Sequence, residues 1–161
     1  MNEIYFERAY KDYPYKLLHL ADPSPELVNS YLKNGICYIV KIRNLVVGTF
    51  VVLEISLGNF EIMNISVDPN YQNKGIGRQI LYFAIGEAKK RNAKNLFIAT
   101  GNSSLHQLSL YQSIGFIVDS IERDFFIKNY DNPIFENGMQ CRDKIILKLD
   151  LNIKKHSQII G

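Results

Sequence analysis

Tryptophan is absent from the 161 residues, cysteine occurs twice and proline five times. Two cysteines, Cys37 and Cys141, far apart and without CxxC spacing, exclude a disulfide-stapled miniprotein and the usual zinc signatures. Separate reduced thiols and no metal site are expected. No apolar run approaches the roughly 20 residues of a membrane span, and Met1-Asn2-Glu3-Ile4 lacks the charged and apolar regions of a signal peptide; a cytoplasmic protein without membrane contact is expected. An excess of one charge is missing too. The 19 Lys and Arg against 16 Asp and Glu leave a net +3, interspersed along the chain, which is too little for a nucleic-acid footprint. The one basic cluster, Lys89-Lys90-Arg91, closes a predicted helix, where cations complement exposed carbonyls. Repeats, low-complexity tracts and Pro/Gly-rich linkers are also lacking, so the chain reads as one domain over 1–151 with a polar tail over 152–161. What is present is a hydrophobic fraction of 47%, enough for a folded core, and 10 Tyr with 9 Phe, more aromatic content than a core alone requires.

Ser24-Pro25-Glu26 starts a helix over 24–34, with Ser as N-cap, Pro at the first helical position and Gly35 as the stop. β-Branched and aromatic runs follow at 36–43 and 45–55 around a turn at Asn44, then at 60–67 after Gly58-Asn59, which predicts three consecutive antiparallel strands. Asp68-Pro69-Asn70 breaks that pattern. Apolar residues at 76, 80, 81, 84, 85 and 88 have the helical period up to Arg91. A strand over 95–100, a helix capped by Ser103 or Ser104 and running to Ile114, a stop at Gly115, and strands at 116–121 and 144–149 complete the pattern, while the Tyr-rich stretch to Leu20 receives no element. Leu105, Leu108 and Tyr111 share one face of the second long helix. A meander followed by βαβαβ predicts an α/β (α+β) fold: a mixed, mostly antiparallel sheet flanked by helices, with a parallel strand pair inside it.

The most informative stretch is Gln72-Asn73-Lys74-Gly75-Ile76-Gly77-Arg78, between a strand and a helix. A helix entered through glycines exposes unpaired backbone N–H groups, and Gly75 and Gly77 let a bulky anion approach the backbone. A phosphate or pyrophosphate fits there, with Lys74 and Arg78 adding charge at the rim; a glycine turn that merely starts a helix is the plain alternative. A P-loop is excluded because no GxxxxGK run exists. The dinucleotide fingerprint fails at Ile80, where it needs a third glycine, and at Thr100-Gly101-Asn102, where it needs an acid.

This stretch resembles the acyl-CoA-binding signature of the GNAT superfamily of N-acetyltransferases, Gln/Arg-x-x-Gly-x-Gly/Ala. Glu61 to Pro69 before it is similar to the family's fourth strand, and Asn102 through Tyr111-Gln112-Ser113-Ile114-Gly115-Phe116 is similar to its second motif. Order and spacing together cover roughly 36–122, and Pro133 to Asp143 resembles a subgroup of small bacterial members. The resemblance implies the GNAT fold with a splayed parallel pair and transfer of acetyl from acetyl-CoA to a primary amine by direct attack. It assigns the thioester and pantetheine to backbone N–H groups of Ile65 and Val67, the pyrophosphate to Gln72, Asn73, Lys74, Gly75, Ile76, Gly77 and Arg78, and the pantetheine or a loop cap to Asn102. Tyr111 matches the general acid, since a phenol with a pKa near 10 stays protonated at neutral pH.

Glu61 is the preferred general base, with Glu54, Glu136 and Asp143 as alternatives. Asn64 reads as a hydrogen-bonding support. His19, His106 and His156 have no motif around them, and Cys141 could form a covalent intermediate only against the family's habit of direct transfer. The acceptor site is expected from the N-terminal region and the segment before the last strand, with Tyr10, Tyr13, Tyr15, Phe125, Phe126, Tyr130 and Phe135 as aromatics and Asp12, Asp124, Asp131 and Glu136 as acids. Such a pocket suits a cationic amine. A polyamine, an aminoglycoside, an amino acid and a peptide amine stay open, as does a homodimer. Two other classes stay open as well: an acyl-CoA-binding sensor or interaction domain that has lost catalysis, and a nucleotide-binding domain of another kind.

Overall fold

The computed structural model describes residues 3–152. In chain order the elements are β1 (Ile4–Ala9), α1 (Tyr15–Ala21), α2 (Pro25–Asn34), β2 (Ile36–Ile42), β3 (Leu45–Ser56), β4 (Asn59–Val67), a 3-10 turn at Pro69–Tyr71, α3 (Ile76–Lys90), β5 (Asn95–Gly101), α4 (Leu105–Ile114), β6 (Ile117–Glu122), α5 (Phe125–Asn129), β7 (Ile134–Glu136), β8 (Met139–Cys141) and β9 (Lys144–Asp150). The expected mixed sheet forms: seven strands in the order β1-β2-β3-β4-β5-β9-β6, with β7 and β8 in a separate hairpin. Among the described residues only β4 and β5 pair in parallel, because α3 carries the chain back between them.

Elements with their own punctuation fall where the sequence puts them. Ser24 Oγ accepts from the Leu27 N–H at 3.3 Å, Pro25 opens α2 and Gly35 ends it. Five elements, β1, α1, α5, β7 and β8, escape the sequence reading for lack of such signals. β1 alternates Ile4 and Phe6 toward the core with Tyr5 outward, an alternation hidden by an aromatic on both faces. α1 and α5 start without a side-chain cap, α5 from Asp124 in the left-handed region at φ 59°. The β7–β8 hairpin has only three residues a side. The expected serine cap of α4 does not form: Ser104 occupies the N-cap position, but its hydroxyl donates to Glu136 Oε1 at 2.8 Å. Of the apolar face expected on α4, Tyr111 is buried and Leu105 lies in solvent. The expected tail, apart from Asn152, and His156 lie outside the described residues.

The sheet buries both faces. Val40, Phe50, Ile62, Ile80, Leu96 and Leu147 pack with α3 on one side, and Leu18, Val28, Tyr31, Leu32 and Val51 with α1 and α2 on the other. Part of the aromatic surplus belongs to the first core, where Phe6 stacks on Phe83 at 3.9 Å and Tyr38 on Phe50 at 4.9 Å between ring centroids. Truncating fully buried Phe50 to Ala would cost about 3–5 kcal/mol. Cys37 and Cys141 are both free and buried. No helix among the described residues is long and apolar enough to cross a membrane, and none of their His, Cys, Asp and Glu side chains cluster as a metal site.

Candidate active site

A bulge in β4 creates the site. Val51 pairs with Asn64 and Val52 with Ile62, so Met63 is an extra residue opposite β3. The insertion swaps the faces of the strand. Before it, Ile62 points to the α3 core; after it, Asn64 points to α1 and α2, where its Nδ2 donates to Leu18 O at 2.9 Å and Tyr31 Oη at 2.8 Å. Asn64 is therefore the support the sequence suggested, with its Oδ1 buried and without a partner among the described residues. The β4–β5 ladder stops at Ile62↔Ile98, so beyond the bulge the two parallel strands diverge.

That divergence leaves one edge of β4 open. The Asp68 N–H donates to Val47 O on β3, so Ile65 and Val67, of the opposite parity, turn their backbone groups toward the gap. Gln72 reaches back from the following loop, and its Nε2 donates to Val67 O at 2.9 Å. Asn73 and Gly75 both take the left-handed conformation, at φ 61° and 81°, and Gly75 leads into α3. The first intrahelical acceptor is Gly75 O, which receives the Gln79 N–H, so no N–H from Asn73 to Arg78 meets a protein acceptor among the described residues. A Cβ on Gly75 would meet nothing within 4 Å; the left-handed backbone is what requires glycine there. Lys74 lies against the Tyr71 ring, and Arg78 donates to Ser113 Oγ at 3.0 Å, tying α3 to α4. A row of free N–H groups at a helix N-terminus, flanked by two cations, fits a pyrophosphate.

Glu61 precedes the bulge and lies on the α1–α2 side, in a cleft of about 190 Å³ that also takes in Asp22, Tyr31, Phe126, Tyr130 and Lys144. Burial raises the Glu61 carboxyl above its usual range, and the Lys144 ammonium opposes that shift. Its rivals are engaged elsewhere: Glu54 accepts the Gly58 N–H, Glu136 the Ser104 hydroxyl, and Asp143 the Asp124 N–H. No hydrogen bond to the Glu61 carboxylate forms among the described residues. Tyr111 sits across the sheet from it, in the α3 core beside Phe116, and burial pushes its phenol above the usual range. Glu61 and Tyr111 thus lie on opposite faces of the sheet.

Asn102, at the end of β5, ties down a loop. Its Nδ2 donates to Gln140 O, and its Oδ1 accepts from the Arg142 and Asp143 N–H groups at 2.8 and 3.0 Å. That segment in turn holds α5, through Phe126 N–H to Arg142 O and through Arg142 to Asp124 at 3.0 Å. Phe125, Phe126 and Tyr130 consequently line the cleft, as the sequence suggested, whereas Tyr10, Tyr15 and Phe135 are exposed. The acids differ from those expected. Asp22 and Glu61 line the cleft; Asp124 pairs with Arg142 and Glu136 with serines. Asp22, Tyr31 and Lys144 carried no sequence signal, since Asp22 meets Tyr130 across 108 positions. A larger groove, about 960 Å³, runs between α3 and the β6–β9 edge and contains none of the expected site residues.

The model of the Acetyltransferase (GNAT) family matches residues 2–116, and the chain belongs to that family. It is 49% identical over 137 residues to the uncharacterized N-acetyltransferase YvbK of Bacillus subtilis, covering 85% of this chain and 88% of that protein. A GNAT family acetyltransferase from Elizabethkingia anophelis with acetyl-CoA bound superposes with a TM-score of 0.89 at 44% identity, over 92% of this chain and 98% of the other. A Bacillus subtilis acetyltransferase in complex with CoA gives 0.90 at 45% identity, over 92% and 99%.

Proposed function

We propose that the chain transfers the acetyl group of acetyl-CoA to a primary amine by direct attack within a ternary complex. The observation that carries this reading is the continuous run of unpaired N–H groups from Asn73 to Arg78 beside the opened edge of β4, with an unbonded carboxylate, Glu61, one bulge away. The N–H groups of the loop hold the pyrophosphate, and those of Ile65 and Val67 hold the pantetheine arm and polarise the thioester carbonyl. Glu61 takes a proton from the substrate ammonium, directly or through water. The free amine then forms a C–N bond to the carbonyl carbon as the C–S bond breaks, Tyr111 donates its proton to the departing thiolate, and the proton the acylated nitrogen must lose passes through water to restore the Tyr111 phenol. Raised by burial, the Tyr111 phenol stays protonated at neutral pH, as an acid must. Relatives of similar sequence that hold acetyl-CoA and CoA in their structures support the donor.

A thiol-release assay of the purified protein with acetyl-CoA and a panel of amino acids, polyamines, aminoglycosides and peptides tests the reading. It predicts amine-dependent CoA release that falls about 100-fold or more in Tyr111→Phe with little change in acetyl-CoA affinity. Binding of acetyl-CoA without release for any amine would favour a sensor instead.

A further inference from the structure

We propose that the acceptor is a small molecule carrying a carboxylate as well as its amine, of the amino-acid type, and that Lys144 binds that carboxylate in the cleft beside Glu61. This rests on the transferase reading above. The first support is the balance of donors and acceptors in the cleft. Asp22 is already occupied: Oδ1 accepts from the Tyr130 hydroxyl and the Ser24 N–H, both at 3.1 Å, and Oδ2 accepts from the Tyr31 hydroxyl at 3.3 Å. The Ser30 hydroxyl is turned to Leu27 O at 2.7 Å. Lys144 is the contrast. Its ammonium rests 4.6 Å from the centroid of the Phe125 ring and has no carboxylate within 4.0 Å among the described residues. The cleft therefore offers three unused donors of one cation, while its second acid is filled from within.

Strand register places that cation on the same face as Glu61. Glu61 pairs with Phe97 on β5, and Gly101, four residues further along β5, pairs with Lys144 on β9. Residues at even spacing share a face, so Lys144 projects from the sheet on the same side as Glu61; the space over Gly101 itself is filled by Cys141 Sγ. A substrate lying across this face would meet a carboxylate at one end and an ammonium at the other, under the wall of Phe125, Phe126 and Tyr130. A zwitterion matches that order of charges. A polyamine or aminoglycoside would set further cations against Lys144. The volume, about 190 Å³, has room for one small molecule.

Matched pairs test this: L-phenylalanine with phenethylamine, L-leucine with isoamylamine, and spermidine as a polycation, each followed by CoA release. The carboxylate-bearing member should have the higher kcat/KM by roughly ten- to a hundred-fold, the difference a charge-assisted hydrogen bond carries. Lys144→Met should erase most of that preference through KM, and Lys144→Arg should restore part of it. The ratio within a pair cancels any change in Glu61 protonation, and acetyl-CoA binding to each variant reports a folded cofactor site. Spermidine or the carboxylate-free amines turning over as well as their partners, or a preference unchanged in Lys144→Met, would overturn the proposal and leave the transferase reading standing. CoA release with none of these amines but with a peptide or aminoglycoside overturns the proposal alone, and release with no amine of the wider panel overturns both.

Discussion

The two halves of the proposed site, one for the cofactor and one for the acceptor, are made of different material. The cofactor half is backbone: N–H groups from a single stretch, Ile65 to Arg78, exposed by one bulge and by two left-handed residues, Asn73 and Gly75. The acceptor half is side chains: Asp22 after α1, Tyr31 on α2, Glu61 on β4, Tyr130 after α5 and Lys144 on β9, held by long-range bonds such as Tyr130 to Asp22. A site made of backbone tolerates changes of side chain but not a group intruding on the N–H row. A site made of side chains is the reverse.

The sharpest way to break the first half is therefore an intrusion. Gly77→Asp should fold, because a Cβ there meets only Leu110 Cδ2 at an ordinary 3.6 Å. It should weaken acetyl-CoA binding by more than about 100-fold, since like charges placed together cost several kcal/mol. Calorimetric titration with acetyl-CoA reads this, and retained affinity would remove the phosphate assignment. Glu61→Gln should lower turnover by about 100-fold without touching acetyl-CoA affinity, and should abolish the limb of the pH–rate profile that rises as the carboxyl ionises.

The same Glu61 variant carries a stability signature. Burial raises the Glu61 pKa in the folded chain, so the native state binds that proton more readily than the unfolded one, and its contribution is present at low pH and lost as pH rises through the folded pKa. Glu61→Gln should consequently gain stability over the wild type near neutral pH. Thermal melts across the acid range should show this gain fading below the ordinary carboxylate range.

Asn102→Ala divides the halves more finely. It removes three hydrogen bonds to the 140–143 segment and, on the geometry, should lower stability by about 1–3 kcal/mol and raise the amine KM. A loss confined to acetyl-CoA affinity would instead make Asn102 a pantetheine ligand. Lys74→Ala is the mildest. Its exposed ammonium should account for no more than about fivefold in acetyl-CoA affinity, diminishing with salt.

This division also explains what was legible beforehand. Backbone sites need glycines at fixed offsets between a strand and a helix, so Gly75 and Gly77 stand out in the bare sequence, as do the turn residues and glycine stops that bound the strands and helices around them. The acceptor side has no local grammar. Lys144 looks like any strand lysine until β9 is placed beside β5, and Asp22 like any helix-end acid until Tyr31 and Tyr130 converge on it. Asp124 and Glu136, the acids that sequence proximity favoured, hold Arg142 and the serines before α4. Their neighbours in the chain are not their neighbours in the fold.

Direct transfer is the central claim, and stoichiometric mixing tests it most plainly. The protein is combined with one equivalent of acetyl-CoA, with and without an amine substrate, while free thiol and the mass of the intact chain are followed over time. Thiol should appear only with the amine, in equal amount to N-acetylated product, and the chain should keep its unmodified mass. Thiol released without amine, together with a chain heavier by one acetyl group at Cys141 or elsewhere, would contradict it.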